Sequence, residues 1–309
     1  MKIVFFGNPD FCFHPLNKLN SSNHELLSVV TSTDRKSGRG LKLIPSFVKK
    51  TALNLNLPII EVDNIKSKEF ANRLVSLGAD LFVVVAFKFL PDSIINIPKY
   101  GSINIHPSIL PKYRGSSPIQ YALLNGDVKT GVSIIHLNSK IDSGAILGQE
   151  KINIDSISTF GEMYEKLGIL SSELIVKVIN DIKDNKTKPI IQDESKKILA
   201  PKIKKEDLKI DWNNSSLDIH NKIRAFDPFP GAYCFLNEKR IKLFGSSEHN
   251  YDDSILKEPG EIIIKDKLLL IKTNTKKMIN ISMVQLEGKN KISSSDFIKS
   301  LKNKKYILK

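Results

Sequence analysis

SINIHPSILPKYRG, residues 102–115, decides how this chain of 309 residues is read. Polar and apolar residues alternate from Ser102 to His106, the period of an extended strand. Asn104 and His106 therefore share one face, roughly 6 to 7 Å apart, with Ile103 and Ile105 on the other. Pro107 cannot donate to a β ladder and stops the strand, and the turn through Pro111 carries the chain across the strand's carboxyl end. In open α/β sheets that end is where ligands bind. An amide and an imidazole placed there can grip one small polar group from two sides.

The sequence on either side supplies the sheet. Apolar runs of strand length at 2–6, 26–31, 58–60, 81–86, 102–105 and 131–137 alternate with helix-period segments at 11–19, 47–55, 66–77 and 160–184. That alternation predicts a mainly parallel α/β sheet with helices on both faces, and a continuous run such as VVVA fits a strand covered on both sides. From about residue 186 to 205 the pattern dissolves into a Lys-rich tract with two prolines, read as a basic linker at 191–205. This divides the chain into a catalytic domain at 1–190 and a second domain at 206–309. Short apolar runs at 233–236, 241–244, 261–264, 268–272 and 279–286, with helices at 215–225 and 294–301, predict a small OB-like β-barrel there.

Composition bounds the function. No stretch approaches the roughly 20 apolar residues of a membrane span, and the start KIVFFGN reads as a buried first strand, which places the protein in the cytoplasm without a membrane partner. The two cysteines, Cys12 and Cys234, lie far apart with no Cys/His cluster, so neither a disulfide framework nor a metal site is expected. The turn after FFG lacks the G-x-G-x-x-G spacing, and no G-x-x-x-x-G-K-[ST] loop occurs, which argues against dinucleotide binding and against a triphosphatase of that type.

The net charge of +14 admits a nucleic-acid partner but does not specify one, since a chain rich in Lys, Ile and Asn acquires such a charge from composition alone. A local cluster is more telling. The loop STDRKSGRGLKLIPS at 32–46 carries Arg35, Lys36, Arg39 and Lys42, with Lys49 nearby, and enters from a strand whose carboxyl end lies beside the proposed pocket. Such an arm can track phosphates. The linker lysines, among them Lys204 and Lys205, form a second candidate strip, although charged linkers are usually just solvated.

Downstream, Asp142 opens a DSG turn at 142–144 after the strand at 131–137. That turn is expected at a carboxyl end too, where Asp142 approaches His106 and orients its imidazole. His14, His24, His136, His220 and His249 have no comparable setting and read as structural or solvated.

Together these residues resemble the methionyl-tRNA formyltransferases. The likeness is carried by Asn104, His106, the turn 108–111, the YRG at 113–115, the PIQ helix start at 118–120 and the D-x-G at 142–144. It continues through the basic loop at Arg39, IDW at 210–212, IRAFDPFPGAY at 223–233 and QLEGK at 285–289. Ile109 stands where the family usually has Leu, and Ser116 and Ser117 where small alanines are common. The first motif is shared by the wider group of formyltetrahydrofolate users, so it indicates the donor better than the acceptor. The resemblance implies a Rossmann-like formyltransferase domain followed by an OB-like tRNA-binding domain, acting as a monomer without metal. It implies transfer of the formyl group of 10-formyltetrahydrofolate to the α-amino group of methionine on initiator methionyl-tRNA. Asn104, His106 and Asp142 would be catalytic, Ser108, Ile109, Leu110 and Pro111 would line the folate cleft, and Arg39, Lys42, Lys204 and Lys205 would meet the tRNA. The rivals are a formyltransferase for a small amine on the same core, and a folate- or RNA-binding protein without catalysis.

Overall fold

The computed structural model describes residues 1–37, 42–250, 258–302 and 305–309. The first elements are β1 (Lys2–Gly7), α1 (Phe13–Asn20), β2 (Glu25–Ser32), β3 (Arg35–Ser37), β4 (Lys42–Ile44), α2 (Phe47–Asn54), β5 (Ile59–Val62), α3 (Lys68–Ser76), β6 (Leu81–Val85), α4 (Asp92–Ile95) and β7 (Ser102–His106). They are followed by α5 (Pro118–Leu124), β8 (Lys129–His136), β9 (Ile146–Asn153) and α6 (Phe160–Lys183). A seven-stranded sheet runs in the order β5-β2-β1-β6-β7-β8-β9. The pairs from β5 across to β7 are parallel, whereas β8 runs antiparallel to β7 with Ile103 opposite His136 and His106 opposite Ser133.

Burial explains the central strands. All five residues of β6 are buried and so are the last five of β1, because apolar side chains on both faces are covered, as the continuous apolar runs require. On one face Val4, Phe6, Val30, Phe82 and Val84 pack with Phe70 and Leu74 of α3, and the rings of Phe6 and Phe82 meet at 5.1 Å between centroids. Serine hydroxyls start the helices: Ser46 accepts the N–H of Lys49 and Ser67 that of Phe70, so each satisfies a donor the helix leaves unpaired.

Two compact units result. One comprises Met1–Gly115, Thr130–Ile152 and Tyr164–Leu199, and the other Ser116–Lys129, Asn153–Met163 and Ala200–Lys309. Two short stretches from the first half of the chain thus cluster with the C-terminal residues. The tract read as a linker is fastened down in its first half: Ile190 pairs with Ile146, and Leu199 bridges to Arg114. β9 was not expected, since ILGQEKIN is too polar to read as a core strand; it lies at the edge of the sheet, with only Ile146 among its residues buried.

The second unit holds α7 (Ser216–Ala225), β10 (Ala232–Leu236), β11 (Lys239–Asn250), β12 (Ile262–Lys265), β13 (Leu268–Lys272), β14 (Lys277–Leu286), β15 (Lys291–Ser293) and α8 (Ser294–Ser300). The pairs are antiparallel, in the order β10-β11-β14-β13-β12, with β15 on β14. The last residues link the two edges, for Leu308 pairs with Leu236 and Ile307 with Glu261, which satisfies strands that would otherwise be open. Trp212, Ile219, Ile223, Phe226, Leu243, Ile279 and Phe297 share the core inside. Among the described residues, no helix is long and apolar enough to cross a membrane.

His220 is built into this unit, with Nδ1 2.8 Å from the Ser246 hydroxyl and Nε2 2.8 Å from the carbonyl of Ser156. Burial pushes its imidazole, and that of His136, below the ordinary value of 6.5. Below 6.5 the unfolded chain therefore binds more protons at these sites than the folded chain. The stability they contribute is complete above 6.5 and declines as the pH falls beneath it. Urea midpoints should drop between pH 7.5 and 5, and the drop should be shallower in His220→Gln; an unchanged slope would show that this histidine is not linked to folding.

Candidate active site

β7 delivers Asn104 and His106 to one face, as its period requires, and both are buried, at 9% and 4% exposure. The Asn104 side chain forms no hydrogen bond among the described residues, so a buried amide is left for a ligand. His106 is held at both ends. Its Nε2 lies 2.8 Å from the carbonyl of Tyr113, and its Nδ1 lies 3.6 Å from Oδ2 of Asp142. A carbonyl only accepts, so Nε2 carries a hydrogen and Nδ1 is the nitrogen that faces the carboxylate.

Asp142 reaches His106 by a route other than the expected one. Because β8 is antiparallel to β7, the carboxyl end of β8 lies beside the amino end of β7, and the DSG turn does not leave from the same sheet end as His106. The loop between β8 and β9 nevertheless brings the carboxylate to the imidazole. The N–H of Gly115 donates to Asp142 Oδ2 at 2.9 Å, and the Asp142 backbone is left-handed, with φ 49°. Gly144 makes the loop possible: a Cβ there would stand 1.7 Å from the carbonyl oxygen of His136.

The turn after Pro107 is also internally braced. Ser108 Oγ donates to the carbonyl of Lys112 at 2.6 Å. Ser133 on β8 accepts the N–H of Leu110 and donates to the carbonyl of Ser108, while Gln149 on β9 donates to the Ser133 hydroxyl and to the carbonyl of Leu110. Ser108 and Leu110 are consequently buried, whereas Ile109 and Pro111 are half-buried.

Lys49 is paired with Asp34 at 2.8 Å and with Glu61, which neutralises it locally. Arg39 lies outside the described residues, and Lys42 is described only as part of β4. Lys204 and Lys205 are exposed in the second unit. No group of three or more His, Cys, Asp or Glu among the described residues is arranged to hold a metal ion.

Residues 1–179 match the family described as formyl transferase, and residues 202–302 match formyl transferase, C-terminal domain. The methionyl-tRNA formyltransferases of Staphylococcus epidermidis and Thermotoga neapolitana are each 38% identical to this chain, over 303 and 294 residues, covering 96% and 95% of it and 95% and 93% of their own lengths. The chain belongs to the methionyl-tRNA formyltransferase family. Its fold is also that of WlaRD, a sugar 3N-formyl transferase solved in the presence of dTDP and 5-N-formyl-THF, with a TM-score of 0.67 at 22% identity over 94% of this chain and 99% of that one. HypX from Aquifex aeolicus, solved in complex with tetrahydrofolic acid, shares it too, with a TM-score of 0.67 at 18% identity over 96% of this chain and 47% of that one.

As a formyltransferase, the chain carries a site whose supports were invisible to motif reading. Ser133 and Gln149 have no spacing signal, because each acts from a strand remote in sequence from the turn it braces. Gly144→Ala should lower formyl-transfer kcat by more than tenfold and cost about 1–3 kcal/mol of stability, since the group it meets is backbone that cannot rotate away. Parallel kinetics and thermal melts check this, and wild-type values in both would show that the loop does not depend on the glycine.

Proposed function

We propose that this chain transfers the formyl group of 10-formyltetrahydrofolate to the α-amino group of methionine on initiator methionyl-tRNA, with Asn104, His106 and Asp142 performing the chemistry. The observation that carries the reading is the approach of Asp142 Oδ2 to within 3.6 Å of His106 Nδ1, with the buried Asn104 two positions away on the same face of β7 and its amide uncommitted. The methionyl-tRNA formyltransferases named above support the acceptor, and the folate-bound structures support the donor class.

The arrangement suits acyl transfer to a neutral amine. Attack on the formyl carbon forms a C–N bond and places negative charge on the formyl oxygen. The Asn104 N–H groups donate to that oxyanion, and a His106 protonated at Nδ1 adds positive charge close by. Asp142 stabilises the imidazolium and takes the proton of the attacking amine, directly or through a water. The proton then passes to the folate nitrogen as its bond to the formyl carbon breaks. A free α-amino group has a pKa of about 7.7 to 8.0, so a modest base suffices. Ile109 and Pro111 border the folate through their open sides, with Ser108 and Leu110 supporting the turn beneath. Arg39 and Lys42 meet the acceptor arm, and Lys204 and Lys205 track phosphates farther along.

The decisive assay is formyl transfer to charged initiator tRNA, with charged elongator methionyl-tRNA as a control. Asn104→Ala and His106→Ala should each lower kcat about 10²- to 10³-fold. Product with a small amine but none with tRNA would reassign the acceptor, and full activity in both variants would remove these residues from the chemistry. Arg39→Ala should raise the KM for tRNA and flatten its salt dependence, because fewer counterions are released on binding; an unchanged KM would exclude the basic loop from the interface.

A further inference from the structure

We infer that Gln192 is a positioning residue of the active site, one that holds the Asp142 carboxylate beside His106 by gripping the main chain of the DSG loop. The inference rests on the catalytic reading of Asp142 above.

Gln192 comes from the tract that sequence pattern assigned to a linker, yet its side chain is buried, at 6% exposure. Its Nε2 lies 2.8 Å from the carbonyl of Asp142 and 2.8 Å from the carbonyl of Gly144. Its Oε1 accepts from Nε of Arg114 at 3.0 Å. Two carbonyls can only accept and a guanidinium can only donate, so a single orientation of the amide satisfies all three contacts and uses both of its hydrogens. Arg114, 4% exposed, is itself fixed: its NH2 group donates to Glu194 at 2.8 Å, and its main-chain N–H donates to the carbonyl of Ile198. The chain of contacts therefore runs from Glu194 through Arg114 and Gln192 to both sides of Ser143.

The loop needs such a hold. Asp142 has a left-handed backbone, which an L-residue adopts at some cost and keeps only where its surroundings impose it. Gly115 fixes one carboxylate oxygen, but a side-chain contact alone does not fix the peptide that carries the side chain. Gln192 fixes that peptide and the one two residues on. Without these bonds a buried carbonyl, that of Gly144, and the half-buried one of Asp142 lose their donor, and the loop can relax to satisfy them elsewhere. The Asp142 carboxylate would then leave its place 3.6 Å from His106. Displacement of a catalytic group by about 1 Å can cost about 10²-fold in rate.

The test uses the full chain with Gln192→Glu, Gln192→Met, Asp142→Asn and the two double variants. Glu keeps the shape and the Arg114 contact but has no hydrogens for the two carbonyls; Met removes the amide without adding charge. Both should lower kcat for formyl transfer about 10²-fold with KM for tRNA and folate little changed. In the Asp142→Asn background, where the carboxylate is already gone, neither should lower kcat further, whereas a purely structural defect would add to it. Undiminished kcat in Gln192→Glu and Gln192→Met, or an equal loss on both backgrounds, would overturn the inference while leaving Asp142 catalytic. Wild-type kcat in Asp142→Asn alone would instead remove the catalytic reading of Asp142, and the inference with it.

Discussion

The bond from His106 Nε2 to the carbonyl of Tyr113 ties the end of β7 to the turn that leaves it. It settles that Nε2 carries a hydrogen, and so turns Nδ1 toward Asp142. It also requires the chain to double back within seven residues, and the bracing of that turn by Ser108, Ser133 and Gln149 serves this return. A histidine at a strand end without such a carbonyl would be free to choose its tautomer and its rotamer. Here the Tyr113 carbonyl makes both choices, so the imidazole is held in one orientation by the fold itself.

The switch from parallel to antiparallel pairing at β8 is the second determinant. A further parallel strand would have sent the DSG turn off from the same sheet end as His106. The antiparallel strand starts that loop beside Ile103 instead, and Gly144, a left-handed Asp142 and the buried Gln192 together shape its path to the imidazole. Such a loop depends on partners from far along the chain. The segment 190–199 supplies them, and it clusters with the first compact unit.

Charge plays a narrower part than the total of +14 suggests. Lys49 is spent on Asp34 and Glu61, and Lys196 and Lys197 face Asp193 and Glu194 across one turn. Exposed pairs of this kind contribute little to stability, but they lower the local positive potential that an anionic partner meets. Lys204 and Lys205 are exposed, with no ion pair among the described residues.

Much of this was legible in residue order. The strands with strong apolar runs, the helices with a 3.6-residue period, and the placing of Asn104 and His106 on one face all follow from short-range periodicity, because side-chain direction in a strand or helix is set by the backbone repeat. β9 was not legible, since an edge strand buries too little to need an apolar pattern. Nor was Gln192, since a glutamine in a Lys-rich tract looks the same whether its amide faces water or two main-chain carbonyls. What the sequence by itself determined is the set of chemical groups and the elements that carry them. The tertiary structure alone decided the reversal of β8, the path of the DSG loop and the partners that hold it, because those depend on contacts between residues tens of positions apart, which no local period records.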